Sequence, residues 1–134
     1  MEIKKILVVD DNEPIRRIAE ISLKQVGNWN VKLVESGEAA LKIVQEEKFD
    51  LILLDVMMPN LDGPTTFGRL RQQNCHTPVI FVTAKVMKQE VDAYCQLGAI
   101  GVVTKPFDPM TLPDEIRAIA RNVVQFKSAE PAAC

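Results

Sequence analysis

Five short aliphatic runs, each followed by a segment with helical periodicity, constrain the fold of this chain more than any other feature of its sequence. The runs are Ile6–Val9, Val31–Val34, Leu51–Leu54, Val79–Val82 and Gly101–Thr104. Four of them are almost continuously aliphatic, as expected for parallel strands that are covered on both faces. The second run carries Lys32, which indicates a strand near the edge of the sheet. Five strand–helix repeats predict a doubly wound α/β fold with right-handed crossovers.

The segments between the strands carry residues that begin and end helices. The expected boundaries are Pro14 and Gly27 for the first helix, and Ser36 and Asp62 as the N-caps of the second and third. The fourth helix is expected over residues 87–97 and to end at Gly98, and the fifth over residues 112–124. The final residues, 126–134, are mostly small and polar and are expected to form a short flexible tail. We therefore expect one domain over residues 1–125.

Composition favours a cytoplasmic protein with neither a direct nucleic-acid partner nor a membrane partner. The 134 residues are enough for one buried core, and the formal charge of −2, from 16 basic and 18 acidic residues, gives no electrostatic footprint for nucleic acid. No apolar run approaches the ~20 residues that span a bilayer, and the start, "MEIKK", lacks the core of a signal peptide. Neither the widely spaced cysteines nor the single histidine, His76, has metal-ligand spacing.

Polar residues follow four of the predicted strands where those strands end. Asp10 and Asp11 follow the first strand, Asp55 the third, Thr83 the fourth and Lys105 the fifth. In a parallel sheet the carboxyl ends of the strands meet at one edge, where ligands bind. We therefore expect three carboxylates, one hydroxyl and one ammonium group to converge there.

The charges of this group predict a divalent cation. Two carboxylates ~4 Å apart repel by roughly 4 kcal/mol at an effective dielectric constant near 20. Three carboxylates and one lysine carry −3 + 1 = −2, and carboxylate oxygens favour Mg²⁺ or its mimic Mn²⁺. A carboxylate beside a cation, a lysine and a hydroxyl is also suited to accept a phosphoryl group as a nucleophile.

Each residue taken alone also has a simpler interpretation. Asp11 could cap the first helix, Asp55 could cap a turn, and Lys105 could be a solvated surface charge. Thr83 is ordinary at a strand end, and Asp62 is expected to be only a cap and turn residue. The joint placement of such groups at four strand ends is what favours a functional site.

The chain resembles the receiver domain of bacterial two-component response regulators. The matching segments are "ILVVDDNEPIRR", "DLILLDVMMPNLDG", "PVIFVTA" and "GAIGVVTKPFDP". They cover roughly residues 4 to 125 in the order and spacing of the family. The resemblance implies a flavodoxin-like receiver fold, with a five-stranded parallel sheet in the order 2-1-3-4-5 flanked by five helices.

The resemblance also implies roles at the acidic site. Asp55 would accept a phosphoryl group from a histidine kinase or a histidine phosphotransfer protein. Asp11, Asp55 and the backbone carbonyl of Met57 would bind Mg²⁺ directly, and Asp10 would act largely through water. Met57 and Lys85 occupy positions that tune hydrolysis of the acyl phosphate in the family.

Further implied roles concern the phosphoryl group and the conformational switch. Thr83, Ala84 and Lys105 would bind the phosphoryl oxygens and move with them, and the bond between Lys105 and Pro106 would be cis. The family often has an aromatic residue where this chain has Val102, so the resemblance does not carry the usual threonine–aromatic coupling over to this chain. Output would then pass through backbone shifts around the fourth helix and fifth strand.

Four functions remain in competition at this point. The leading one is a single-domain response regulator that docks on a protein partner through its fourth helix, fifth strand and fifth helix, as a monomer whose dimerisation on phosphorylation is left open. The alternative is the receiver portion of a larger DNA-binding transcription regulator or hybrid kinase. A Mg²⁺-dependent phosphatase would need a cap or a further acidic cluster, so we expect a signalling switch and not an enzyme. A degenerate receiver is disfavoured by the complete acidic set.

Overall fold

The computed structural model describes residues 2–84 and 87–125, and it contains one parallel sheet with the strand order β2-β1-β3-β4-β5. The strands are β1 (Lys5–Val9), β2 (Asn30–Val34), β3 (Leu51–Asp55), β4 (Val79–Thr83) and β5 (Gly101–Thr104). The helices are α1 (Glu13–Ile21), α2 (Gly37–Glu46), α3 (Gly63–Gln72), α4 (Lys88–Leu97) and α5 (Leu112–Gln125). The predicted fold class and strand order are confirmed. The predictions for Lys85 and for the tail lie outside the described residues.

The sheet separates two hydrophobic cores because successive side chains of a strand point to opposite faces. Val8 packs on the face covered by α1 and α5, in the same cluster as Ile116. Val9 packs on the other face, in the same cluster as Phe67 of α3. The three central strands are therefore buried along their whole length apart from Lys5 at the start of β1, which explains their continuously aliphatic sequences.

Strand β2 lies at the edge of the sheet, as Lys32 predicted. It pairs only with β1, in the register Val9 to Val34, and none of its residues is fully buried. The Lys32 side chain reaches outward and pairs with Glu47, with 3.5 Å between Nζ and Oε2. Among the described residues, no helix has both the length and the apolar character needed to cross a membrane.

The capping residues predicted for α2, α3 and α4 are confirmed. The side chains of Ser36 and Asp62 accept hydrogen bonds from the amides of Ala39 and Thr65, at 3.1 and 2.8 Å. Gly98 ends α4 with a φ of 119°, a conformation that residues with a Cβ rarely adopt.

The first helix differs from the prediction of one regular helix up to Gly27. The α-helix ends at Ile21 and continues as a π-helical segment, Ser22–Val26. In this segment the Ser22 hydroxyl is fully buried and donates a hydrogen bond to the Pro109 carbonyl, which ties the helix to the loop before α5. Hydrophobic spacing alone does not distinguish a π-helical turn from an α-helical one.

Candidate metal centre

Three aspartates meet at the carboxyl edge of the sheet. Asp10 and Asp11 follow β1, and Asp55 is the last residue of the neighbouring strand β3. One carboxylate oxygen from each lies within 4.8 Å of the others. Asp10 and Asp55 are 2% and 3% exposed, whereas Asp11 is exposed. The convergence predicted from the strand ends is therefore present, with Asp11 on its open side.

Hydrogen bonds fix the position of Asp10. Its amide donates to the Val34 carbonyl at 3.2 Å, and its Oδ1 accepts from the Asn12 amide at 2.9 Å. Asn12 is the N-cap of α1, since its Oδ1 accepts from the Ile15 amide at 3.0 Å. The simpler interpretation of Asp11 as the helix cap is therefore wrong. The sequence carried a signal for Asn12, because an asparagine just before a proline in the first helical turn is a common helix start.

Lys105 links the two buried carboxylates. Its Nζ lies 2.8 Å from Asp10 Oδ2 and 3.0 Å from Asp55 Oδ1. Burial by itself would lower the pKa of Lys105, but the hydrogen bonds and charges of Asp10 and Asp55 raise it above its ordinary value. The Lys105 amide also donates to the Thr83 carbonyl at 2.8 Å, and the peptide bond to Pro106 is cis. Lys105 is therefore a cation within the site and not a solvated surface charge.

Asp55 is the carboxyl group whose protonation is most perturbed. Burial raises its pKa from 3.8 to about 6, and the neighbouring charge of Asp10 adds to the rise. The contact with Lys105 and the hydrogen bond from the Met57 backbone oppose this shift. The anionic form of Asp55 is therefore less stable relative to the protonated form than it would be in water, but it still predominates near neutral pH.

The other predicted site residues lie at the end of β4, in the loop after β3 and on β5. Thr83 ends β4 and is 3% exposed, and Ala84 follows it on the surface. Met57, two residues after Asp55, is 71% exposed at the rim. Val102 is buried on β5, where it pairs in register with Phe81 of β4.

The loop between β3 and α3 passes close beneath Asp55. The Gly63 amide donates to the Val56 carbonyl at 2.9 Å, and a Cβ on Gly63 would lie 2.4 Å from the Asp55 backbone oxygen. Only glycine permits this approach of the two backbones. In the sequence this glycine follows the predicted cap Asp62, but nothing there indicates that it lies against the Asp55 main chain.

The donor set fits a hard divalent cation. All three ligand candidates are carboxylates, and Mg²⁺ is bound by oxygen ligands at about 2.1 Å in octahedral geometry, which places opposite ligands roughly 4.2 Å apart. Only one pair among three ligands can be opposite, and adjacent ligands are roughly 3.0 Å apart, so oxygens within 4.8 Å of one another would move closer on binding or reach the ion through water. Asp10, Asp11 and Asp55 are therefore able to hold Mg²⁺.

Comparisons with known proteins agree with this geometry. The family model for the response regulator receiver domain matches residues 6–117. The chain is 42% identical over 119 residues to the alkaline phosphatase synthesis transcriptional regulatory protein PhoP of Bacillus subtilis. The matched region covers 89% of this chain and 49% of that relative. It is 36% identical over 126 residues to the transcriptional regulatory protein RprY of Bacteroides fragilis, covering 94% of this chain and 53% of that protein. The chain thus spans about half the length of these curated relatives.

Solved structures show the same fold. The chemotaxis response regulator CheY4 of Vibrio cholerae superposes with a TM-score of 0.81 at 29% identity, over 88% of this chain and 99% of that one. The BeF3-activated DrrB receiver domain matches with a TM-score of 0.75 at 31% identity, over 90% and 99% of the two chains. The acidic cluster, the strand order and the family match lead to one conclusion: this chain belongs to the receiver-domain family of two-component response regulators.

Proposed function

We propose that Asp55 accepts a phosphoryl group from the phosphohistidine of a histidine kinase or a histidine phosphotransfer protein, in a reaction that requires Mg²⁺. The observation that carries the proposal is the buried Asp55 carboxylate, which shares Lys105 with Asp10 and lies beside Asp11. A carboxylate oxygen of Asp55 attacks phosphorus, the phosphorus–nitrogen bond breaks, and the histidine nitrogen leaves. The product is an acyl phosphate on Asp55.

Each neighbouring residue has a defined task in this transfer. Asp11, Asp55 and the Met57 carbonyl would hold Mg²⁺, with Asp10 acting through water, and the ion would supply positive charge that offsets the negative charge of the transferring oxygens. Lys105 pairs with the phosphoryl oxygens, and the Thr83 hydroxyl donates a hydrogen bond to one of them. Asp55 attacks as its anion, which a pKa of about 6 leaves available at neutral pH.

The acyl phosphate then acts as a conformational signal. It adds negative charge and hydrogen-bond acceptors at the end of β3, next to the end of β4, which repositions Thr83 and Ala84. The change reaches a protein partner through the face formed by α4, β5 and α5. Because residue 102 is a valine, backbone shifts replace the movement of an aromatic ring. The chain is a switch and does not turn over a separate substrate.

Incubation with acetyl phosphate and Mg²⁺, followed by intact mass measurement, tests the proposal. We expect an increase of one phosphoryl group, which is lost with a chelator and in Asp55→Asn. Asp62→Asn is the matched control, because Asp62 lies in the same loop, is exposed, and caps α3 through an oxygen that asparagine retains. Modification that persists in Asp55→Asn would reject the assignment.

A longer transcription regulator is the second candidate. The two curated relatives described above are named as transcriptional regulatory proteins and are about twice as long as the matched region. The single-domain role, the absence of direct nucleic-acid binding, the monomeric state and the cytoplasmic location therefore remain predictions. Sequencing the genomic reading frame around this segment distinguishes the two. A contiguous DNA-binding domain would replace the single-domain proposal and leave the chemistry at Asp55 unchanged.

A further inference from the structure

Arg16 makes a contact with the acidic site that the phosphoryl-transfer proposal does not use. Its Nη1 donates a 2.7 Å hydrogen bond to the backbone carbonyl of Asp10. Its Nη2 lies 4.0 Å from Oε2 of Glu35, the residue that follows β2. The Arg16 side chain is 15% exposed, whereas that of Glu35 is 78% exposed. The guanidinium is thus folded inward over the ends of β1 and β2.

The carbonyl that Arg16 binds belongs to the peptide between the two aspartates. A peptide unit is planar, so fixing the Asp10 carbonyl also fixes the direction in which the chain enters Asp11. Asp11 is the exposed carboxylate of the cluster. Besides the Arg16 contact, the Asp10 amide donates a hydrogen bond to the Val34 carbonyl, and Asp10 Oδ1 accepts one from the Asn12 amide. Of these three hydrogen bonds, that of Arg16 is the one that holds the carbonyl of the Asp10–Asp11 peptide, so the orientation of the open side of the site depends in part on Arg16.

We propose that Arg16 is a positioning residue for the cation site, which holds the Asp10–Asp11 peptide in the orientation that lets Asp11 meet Asp10 and Asp55 on one ion. This inference rests on the proposed Mg²⁺ site. Groups that orient metal ligands in this indirect way typically change metal affinity 10–100-fold when they are removed.

The charge of Arg16 and its positioning role predict opposite effects on Mg²⁺ affinity. Arg16 is a cation beside a cluster that carries −2, so removing its charge alone would favour a second cation and tighten Mg²⁺ binding. Losing the fixed peptide plane would instead misalign Asp11 and weaken binding. The sign of the change in Kd therefore separates the two roles.

Calorimetric titration of the whole chain with MgCl₂, without any phosphoryl donor, provides the test. We expect Arg16→Gln to weaken Mg²⁺ binding by about tenfold. Arg17→Gln is the matched control, since Arg17 is the next residue, is exposed and pairs with Glu13 on the helix surface. It should leave the Kd within about twofold of the wild-type value, because surface ion pairs contribute little. In the metal-free protein, amide hydrogen exchange at Asn12 should accelerate in Arg16→Gln and stay unchanged in Arg17→Gln.

An unchanged or tighter Kd in a folded Arg16→Gln protein would overturn the inference. If that variant fails to fold, Arg16→Lys replaces it, since lysine keeps the charge but lacks the planar fork of the guanidinium. Weaker Mg²⁺ binding by folded Arg16→Lys supports the inference, and wild-type affinity refutes it. A wild-type chain that binds no Mg²⁺ would instead reject the proposed metal site itself. The expected weakening of Mg²⁺ binding in Arg16→Gln, together with a wild-type Asp55 that is not phosphorylated, would support the inference and reject the proposed function alone.

Discussion

Replacing Asp55 with asparagine should stabilise the metal-free protein at neutral pH. The carboxylate is 3% exposed, and burial raises its pKa from 3.8 to about 6. A raised pKa means that the folded state disfavours the anion relative to the unfolded state. Asparagine has nearly the same shape but no charge to bury, and its oxygen can still accept a hydrogen bond from Lys105.

The size and sign of the effect follow from the two pKa values. A shift of about 2 units corresponds to roughly 3 kcal/mol. Because the folded-state pKa is the higher one, the free energy of unfolding of the wild-type protein falls by this amount as the pH rises from about 4 to about 6. Below about pH 4 Asp55 is protonated in both the folded and the unfolded state, and the loss disappears. The variant should therefore exceed the wild type by roughly 3 kcal/mol near pH 7.5 and by only about 1 kcal/mol near pH 4.5.

Urea unfolding in the presence of a chelator measures this difference. Unfolding is followed by fluorescence of Trp29, the single tryptophan, at pH values between about 4.5 and 7.5. The control variant Asp62→Asn changes an exposed carboxylate in the same loop, and its free energy of unfolding should stay within about 0.5 kcal/mol of the wild-type value at every pH. An Asp55→Asn protein that is no more stable than the wild type near pH 7.5, or a difference that does not shrink on acidification, would refute the reasoning.

Two further predictions concern the surroundings of Asp55. Gly63→Ala should lower the free energy of unfolding by about 1–3 kcal/mol, because its Cβ would lie 2.4 Å from the Asp55 backbone oxygen. Gly68→Ala has open space at its Cβ and should raise the free energy of unfolding by about 1 kcal/mol. Equal effects of the two substitutions in urea unfolding would contradict this reasoning. Lys105→Met should destabilise the metal-free protein by about 2 kcal/mol, because Asp10 and Asp55 lose the cation between them, and Mg²⁺ should restore much of the loss. An identical loss with and without Mg²⁺ in the same assay would argue against repulsion between the two carboxylates.

The sequence predicted the fold well because its strongest signals are local. Each strand lies within one residue of its predicted range, since a buried parallel strand is read directly as an aliphatic run. The caps at Ser36, Asp62 and Gly98 depend on residue types with specific backbone preferences, and they were placed correctly. The π-helical segment after α1 was missed, because the helical spacing of hydrophobic residues continues through it, and the buried hydrogen bond of Ser22 to Pro109 joins residues far apart along the chain.

The site was predictable as a set of residues but not as a network. Strand ends gave Asp10, Asp55 and Lys105, because parallel strands bring their carboxyl ends to one edge. The contact of Arg16 with the Asp10 carbonyl gave no sequence signal, since a long side chain on a surface helix is normally solvated. Backbone acceptors of this kind are visible only once the register of β1 and the start of α1 are known.

The adjacent aspartates near the start of the chain pose an electrostatic problem that Lys105 partly solves. Lys105 bonds to Asp10 and Asp55 together, so one ammonium group compensates the two buried carboxylates, while Asp11 remains exposed to water. An incoming divalent cation would take over this compensation, since it brings twice the charge to the same oxygens. Lys105 would then be released from the carboxylates and become available to a phosphoryl group. The pairing of Lys105 with both carboxylates is therefore a reason to expect that cation binding and phosphoryl binding are coupled through this lysine.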